Sequence, residues 1–159
     1  MNEVELYLLR HADAGDPAAW RGDDRARPLS DKGRRQASSL GRFLGRRGFV
    51  PDAVLSSPRM RARQTAQMIA DALKVEIDLD DRLAGPLDLE VLSGVLSDVD
   101  RRRVMLVGHD PDFSQLAAQL TGAAELSLSK GGLARIDAAL PLRAGAGVLR
   151  WLLPADLVG

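Results

Sequence analysis

Apolar residues come in short runs separated by longer amphipathic stretches, and this rhythm predicts strands alternating with helices. Val4-Glu5-Leu6-Tyr7-Leu8-Leu9 reads as a buried strand, followed by a polar loop from Ala12 to Pro28 that is rich in Asp, Arg and Gly. Ser30 is a good N-cap for a helix running to about Arg47, with Ala37, Leu40, Phe43 and Leu44 as its apolar stripe and Gly48 as its stop. Ala53-Val54-Leu55 reads as a short strand. Ser57 and Pro58 then read as N-cap and first helical position of a helix carrying Ala62, Ala66, Ile69 and Leu73 on one face. Val75 to Leu79 alternates like a strand, Leu87 to Leu96 reads as a short helix, and Val104 to Val107 as another buried strand. A helix is expected from Asp112 to Leu120, and one or two strands after Glu125, including Gly147 to Leu153. The alternation indicates an α/β fold with a mainly parallel central sheet, in which a ligand site lies outside the carboxyl ends of the strands. No repeat, low-complexity tract or linker interrupts it, so residues 1–159 are read as one domain.

Composition narrows the function. With 45% hydrophobic and 28% charged residues, the chain has a globular profile, and no apolar run approaches the roughly 18 residues of a membrane span. The start, Met1-Asn2-Glu3-Val4-Glu5, lacks the basic region and apolar stretch of a secretory signal, and a cytoplasmic location is the expectation. Zero cysteines exclude disulfides and thiolate chemistry. A formal net charge of zero does not suggest a nucleic-acid partner. Yet 19 of the 22 basic residues are Arg, the side chain that grips phosphate and carboxylate in a bidentate fork.

Three strand ends carry the candidate chemistry: Arg10-His11, Ser56-Ser57-Pro58-Arg59-Met60-Arg61, and Gly108-His109-Asp110. The chain has two histidines, and each immediately follows a buried strand. Transfer of a phosphoryl group is mostly positioning and stabilisation of charge on its oxygens. Arg10 and Arg61 suit such oxygens, and Arg61 sits in the first turn of a helix, where backbone N–H groups favour an anion. A neutral imidazole is a competent nucleophile, so His11 attacks phosphorus while His109 holds an oxygen, or the reverse. No metal is required, because arginines supply the cations. Two histidines with arginine neighbours make a poor metal site, so no metal ligand and no cofactor are expected.

These blocks, in this order, resemble the histidine phosphatase superfamily, also called the phosphoglycerate-mutase-like family. Leu8-Leu9-Arg10-His11-Ala12 stands where the family has a strand ending in Arg-His-Gly. Ser56-Ser57-Pro58-Arg59-Met60-Arg61-Ala62-Arg63-Gln64-Thr65-Ala66 is similar to its second block, and Val107-Gly108-His109 to its third. Arg27-Pro28-Leu29-Ser30-Asp31-Lys32-Gly33 is similar to a fourth block of its short, SixA-like phosphohistidine phosphatase branch. The resemblance implies a three-layer α/β/α sandwich with one antiparallel strand in a mainly parallel sheet. It makes His11 the nucleophile that becomes phosphorylated, Arg10, Arg61 and Arg27 the phosphate-binding cations, and His109 the stabiliser of the transferred oxygens. It implies as substrate a histidine-phosphorylated protein (a phosphocarrier or phosphotransfer domain) or a small phosphorylated metabolite.

Two departures stand out. Ala12 replaces the glycine after the histidine, adding a methyl near the phosphate. The glutamate that larger members use as general acid has no match in Asp80-Asp81-Arg82-Leu83-Ala84-Gly85. Asp110 occupies the place of a catalytic aspartate in the acid-phosphatase branch, with Asp13 and Asp81 as other candidates. Asp110 reads equally well as a cap for the following helix, and Arg27 as an ion-pair partner of Asp23 or Asp24. Arg59 and Arg63 read as solvated or ion-paired residues, and Arg101-Arg102-Arg103 as a solvated turn or a guide for an acidic partner. Only about forty residues separate Thr65 from His109, which leaves little to build a lid and suits a protein surface as substrate. A mutase, which must shield its intermediate from water, fits poorly, and a degenerate phosphate-binding module is the remaining class.

Overall fold

A computed structural model describes residues 2–159. Strands β1 (Glu3–Arg10), β2 (Ala53–Ser56), β3 (Asp78–Leu79), β4 (Arg103–Gly108), β5 (Leu133–Ala139) and β6 (Val148–Leu153) form one sheet in the order β3-β2-β4-β1-β5-β6. Strands β1, β2, β3 and β4 pair in parallel, whereas β5 runs antiparallel to both of its neighbours, β1 and β6. Helices α1 (Asp31–Arg46), α2 (Met60–Leu73), α3 (Leu89–Val99) and α4 (Asp112–Thr121) cover the two faces.

The two-residue period of the central strands sorts the core into two layers. Val4, Leu6 and Leu8 of β1, with Val104 and Leu106 of β4, pack against Leu92, Val95 and Leu96 of α3 and Phe113, Leu116 and Leu120 of α4. The intervening residues, Tyr7, Leu9, Met105 and Val107, pack against Leu40 and Leu44 of α1 and Ala62, Ala66 and Ile69 of α2. The result is a three-layer α/β/α sandwich. Among the described residues no helix is long and apolar enough to cross a membrane.

Several elements differ from the sequence expectation. The alternating stretch Val75–Leu79 pairs only through Asp78 and Leu79; Val75 and Ile77 lean on the α1/α2 core layer instead. Helix α2 begins at Met60, so Ser57 is not its cap and Pro58 precedes its first turn. Ser57 Oγ is engaged elsewhere, as described below. Arg102 and Arg103 are not merely solvated, because they reach the buried Glu5 carboxylate at 3.5 and 3.0 Å, where the Tyr7 hydroxyl also donates at 3.1 Å. Pairing is what makes a buried glutamate tolerable at this end of the sheet.

At the opposite end, the loop after β1 rests directly on the start of α1. Ser30 caps α1 through Gly33 N–H, and Ser30 N–H donates to the Asp13 carbonyl at 3.0 Å. A Cβ at Gly33 would collide with that same carbonyl. Because the contact is backbone, it cannot swing away. Gly33→Ala is therefore expected to destabilise the protein by about 1–3 kcal/mol, read as a lower denaturant midpoint at unchanged slope. An unaffected midpoint would mean that the loop does not need this close approach.

Candidate active site

Parallel register brings the three sequence blocks together. Arg10 lies opposite Gly108, and Ser56 opposite Val107. Each chain then continues one residue further in step: His11 N–H donates to the Gly108 carbonyl and Ser57 N–H to the Val107 carbonyl, both at 2.9 Å. His11, Ser57 and His109 thus emerge side by side, and the two imidazole rings are 5.3 Å apart between centroids. They open into a cavity of about 510 Å³ whose wall also includes Arg10, Arg27, Arg59, Arg61, Lys130 and Asp110.

The expected residues Arg10, His11, Arg27, Arg61, His109 and Asp110 therefore meet in one place. Asp13 and Asp81 are not part of the cavity wall. Asp13 accepts hydrogen bonds from the Ser30 hydroxyl, Gly15 N–H and Lys130. The Ser30 bond is the main reason that its pKa is lowered. Asp110 accepts from Ser114 N–H at 2.9 Å and Ser114 O–H at 2.6 Å, and lies 3.5 Å from Arg10. It ties down the first turn of α4 and faces a cation.

Arg59, Lys130 and Asp24 join the site without having been expected there. Arg59 precedes α2 rather than lying within it, so helical spacing does not turn it away from Arg61, and it lines the cavity. Lys130 arrives from the loop before β5, a segment with no motif to mark it. Asp24 gathers the arginines: it accepts from Arg27 Nε at 3.0 Å and Arg61 Nη2 at 3.1 Å, lies 3.6 Å from Arg59, and takes Arg61 Nη1 on its carbonyl. Arg27 thus both pairs with Asp24 and lines the cavity. Ala12 directs its methyl into a small apolar cluster with Leu29 and Ala37, so the alanine does not narrow the pocket. Thr65 Oγ1 receives Ala12 N–H at 3.1 Å and donates to the Arg61 carbonyl at 2.7 Å, which binds the loop after β1 to α2.

The cavity is built for an anion. Five cationic side chains line it against two carboxylates, Asp110 and Asp112. Among the described residues no side chain caps the N-terminus of α2, whose N-cap Arg59 and second residue Arg61 line this wall. Buried polar atoms normally have partners, yet Arg10 Nε, Arg59 Nε, Arg61 Nε and His109 Nδ1 are buried and have none.

Both histidines are neutral near pH 7. Burial pushes His11 down to about 4, reinforced by Arg61, Arg10 and Arg27 and partly opposed by its bond to the Ala12 carbonyl. Burial likewise pushes His109 down to about 3, with His11, Arg61 and Arg59 adding to the effect. His11 Nδ1 lies 2.7 Å from the Ala12 carbonyl, which can only accept, so Nδ1 carries the proton and Nε2 keeps its lone pair.

These depressed values make stability pH-dependent. Below an ordinary histidine pKa near 6.5 the unfolded rings take up protons that the folded rings refuse, so stability falls with falling pH until the folded values are reached. Relative to His11→Asn, the wild-type protein is expected to lose about 2–3 kcal/mol between pH 7.5 and pH 4.5. Urea unfolding of both proteins at the two pH values measures it. A difference that does not change with pH would mean that the folded His11 titrates normally.

A sequence profile of the histidine phosphatase superfamily (branch 1) matches residues 6–86, the segment holding His11, Arg27 and Arg61. The chain belongs to the histidine phosphatase superfamily. An uncharacterized protein of the cyanobacterium Picosynechococcus sp. (strain PCC 7002) is 30% identical over 95% of this chain and 100% of its own length. The phosphohistidine phosphatase SixA of Escherichia coli K12 is 26% identical over 74% of each chain. In fold, a protein histidine phosphatase SixA solved with tungstate superposes with a TM-score of 0.84 at 22% identity, covering 98% of this chain and 100% of the other. Membership of the superfamily and the likeness to SixA of Escherichia coli support phosphatase activity, and the SixA structure solved with tungstate matches the three-layer architecture.

Proposed function

We propose that this protein is a metal-independent phosphatase that works through a phosphohistidine on His11, and that its substrate is phosphohistidine on a partner protein such as a phosphocarrier or phosphotransfer domain. The observation that carries the mechanism is the pairing, in one cation-lined cavity, of an imidazole whose Nδ1 is tied to backbone with buried guanidinium and imidazole nitrogens that lack partners. His11 Nε2 attacks phosphorus in line. Arg10, Arg27 and Arg61 hold the non-bridging oxygens, with Arg59 beside them, and His109 donates to the oxygen nearest its ring. The bond from phosphorus to the leaving group breaks as the bond to Nε2 forms. Water then attacks the phosphorus of phosphorylated His11, the bond from phosphorus to Nε2 breaks, and phosphate leaves with both of the water's protons while the ring returns to its neutral Nδ1–H form.

The choice of substrate rests on the carboxylates. Of the carboxylates in the cavity wall, Asp110 accepts from Ser114 and faces Arg10, and Asp112 accepts the Leu87 N–H at 3.2 Å, while Asp13 and Asp81 lie outside the wall. An ester leaving as alkoxide needs an acid. A phosphoimidazole protonated on its second nitrogen leaves as neutral imidazole and does not.

The test is to incubate the protein, treated with EDTA, with a histidine-phosphorylated carrier domain, with phosphoserine and with p-nitrophenyl phosphate. A kcat/KM for the carrier at least 100-fold above that for phosphoserine supports the proposal. Turnover of the esters alone would assign the site to small phosphorylated metabolites. Phosphate binding without turnover would make the protein a binding module.

A further inference from the structure

We infer that Ser57 is a positioning residue that fixes the tautomer of His109, so that the neutral ring presents an N–H rather than a lone pair to a bound phosphoryl group. The inference rests on reading the cavity as a phosphoryl site, and its structural half can be tested without any substrate.

Ser57 is fully buried between two polar neighbours. Its Oγ accepts the Arg59 backbone N–H at 3.2 Å and lies 2.8 Å from His109 Nε2. A hydroxyl carries one proton and can accept twice. With the Arg59 N–H occupying a lone pair, the two arrangements at Nε2 are not equivalent. If Nε2 held the ring proton and donated it to Ser57, the serine proton would need a further acceptor, and among the described residues Oγ has no other hydrogen-bond partner. That buried O–H would be stranded, which is costly. If Ser57 donates to Nε2 instead, both groups are satisfied, and the ring proton resides on Nδ1.

Nδ1 is the buried His109 nitrogen that lacks a partner. Burial and the neighbouring cations keep the ring neutral at pH 7, so the tautomer decides what the site offers. An Nδ1–H donates to a phosphoryl oxygen, whereas a lone pair there repels it. Ser57 can hold this geometry because its own N–H is anchored to the Val107 carbonyl of β4, the strand that delivers His109 two residues later. The same hydroxyl receives the backbone N–H of Arg59, so Ser57 links His109 to the arginine-bearing start of α2.

The chain has only two histidines, which makes ring nitrogen NMR direct. Two-bond ¹H–¹⁵N spectra at pH 7 of wild type, Ser57→Ala and Ser57→Thr, with His11→Asn used for assignment, report which nitrogen of His109 is protonated. The expected result is an Nδ1–H ring in wild type and Ser57→Thr, and a shift toward Nε2–H in Ser57→Ala, with the His11 signals unchanged. With a phosphorylated substrate, Ser57→Ala is expected to lower kcat by about 10- to 100-fold with a smaller change in KM.

An His109 that stays Nδ1–H in Ser57→Ala overturns the inference, because a merely structural serine would leave the tautomer in place. So does a wild-type ring protonated on Nε2. If the tautomer shifts as expected but wild type turns over no phosphorylated compound, the assignment of Ser57 stands and the phosphatase reading fails.

Discussion

His11→Ala is expected to abolish turnover, with kcat falling on the order of 10⁴-fold or more and no phosphorylated enzyme detectable after acid-free quenching. Loss of a covalent nucleophile removes the whole two-step route and not one contribution to it. The arginines proposed to hold phosphate all remain, so inorganic phosphate or tungstate should bind the variant with affinity within about tenfold of wild type. The fold should survive: the side chain's one hydrogen bond is to the neighbouring Ala12 carbonyl, and the ring otherwise faces the cavity. Incubating enzyme with a phosphohistidine carrier and mapping the acid-labile label by mass spectrometry measures the outcome. Label on His109 in the wild-type protein, or turnover by His11→Ala, would exchange the roles of the two rings.

Arg61→Met is expected to separate activity from stability. Activity should drop by about 10²–10³-fold in kcat/KM, since a fixed cation that stabilises developing charge is lost. Arg61→Lys should restore little of it, because an ammonium cannot grip two oxygens at once. Stability should be unchanged or higher. Arg61 is buried, and burial lowers its pKa, so the folded protein holds this charge at a cost. Arg27 and Arg59 crowd the same Asp24 carboxylate. Replacing a buried charge by an apolar side chain of similar size is often neutral or stabilising, and Asp24 retains Arg27 as its partner. Kinetics and thermal unfolding of the two variants test both halves. A melting temperature several degrees lower would show that the Asp24–Arg61 pair supports the fold.

How much of this site is legible in the sequence follows from how local each signal is. Strand β1 was legible because its apolar residues run continuously, as a strand buried on both faces requires. Strand β3 is legible in place but not in extent: the alternation from Val75 to Leu79 reads as one strand, yet only Asp78 and Leu79 pair, and Val75 and Ile77 are apolar for the sake of a helix layer rather than a ladder. His11, His109, Arg10 and Arg61 were legible because each sits next to a strand end or a helix start. Ser57 reads as a helix cap, whereas its hydroxyl meets the His109 ring. A serine before a proline looks the same in sequence whether its hydroxyl meets a helix N–H or an imidazole from a strand fifty residues away.

The sequence by itself determined the alternation of strands and helices, the identity of the histidine and arginine pairs, and through its motifs the family. These are properties of neighbouring residues, set by side-chain period, capping chemistry and spacing. Tertiary structure alone decided which strands lie side by side, and hence that His11, Ser57 and His109 emerge in one row. It decided that Arg59 and Lys130 complete the cation wall and that Asp24 gathers three arginines. Those outcomes depend on contacts between segments far apart in the chain. The burial that keeps both imidazoles neutral is of the same kind, since desolvation is a property of the closed fold and of no residue alone.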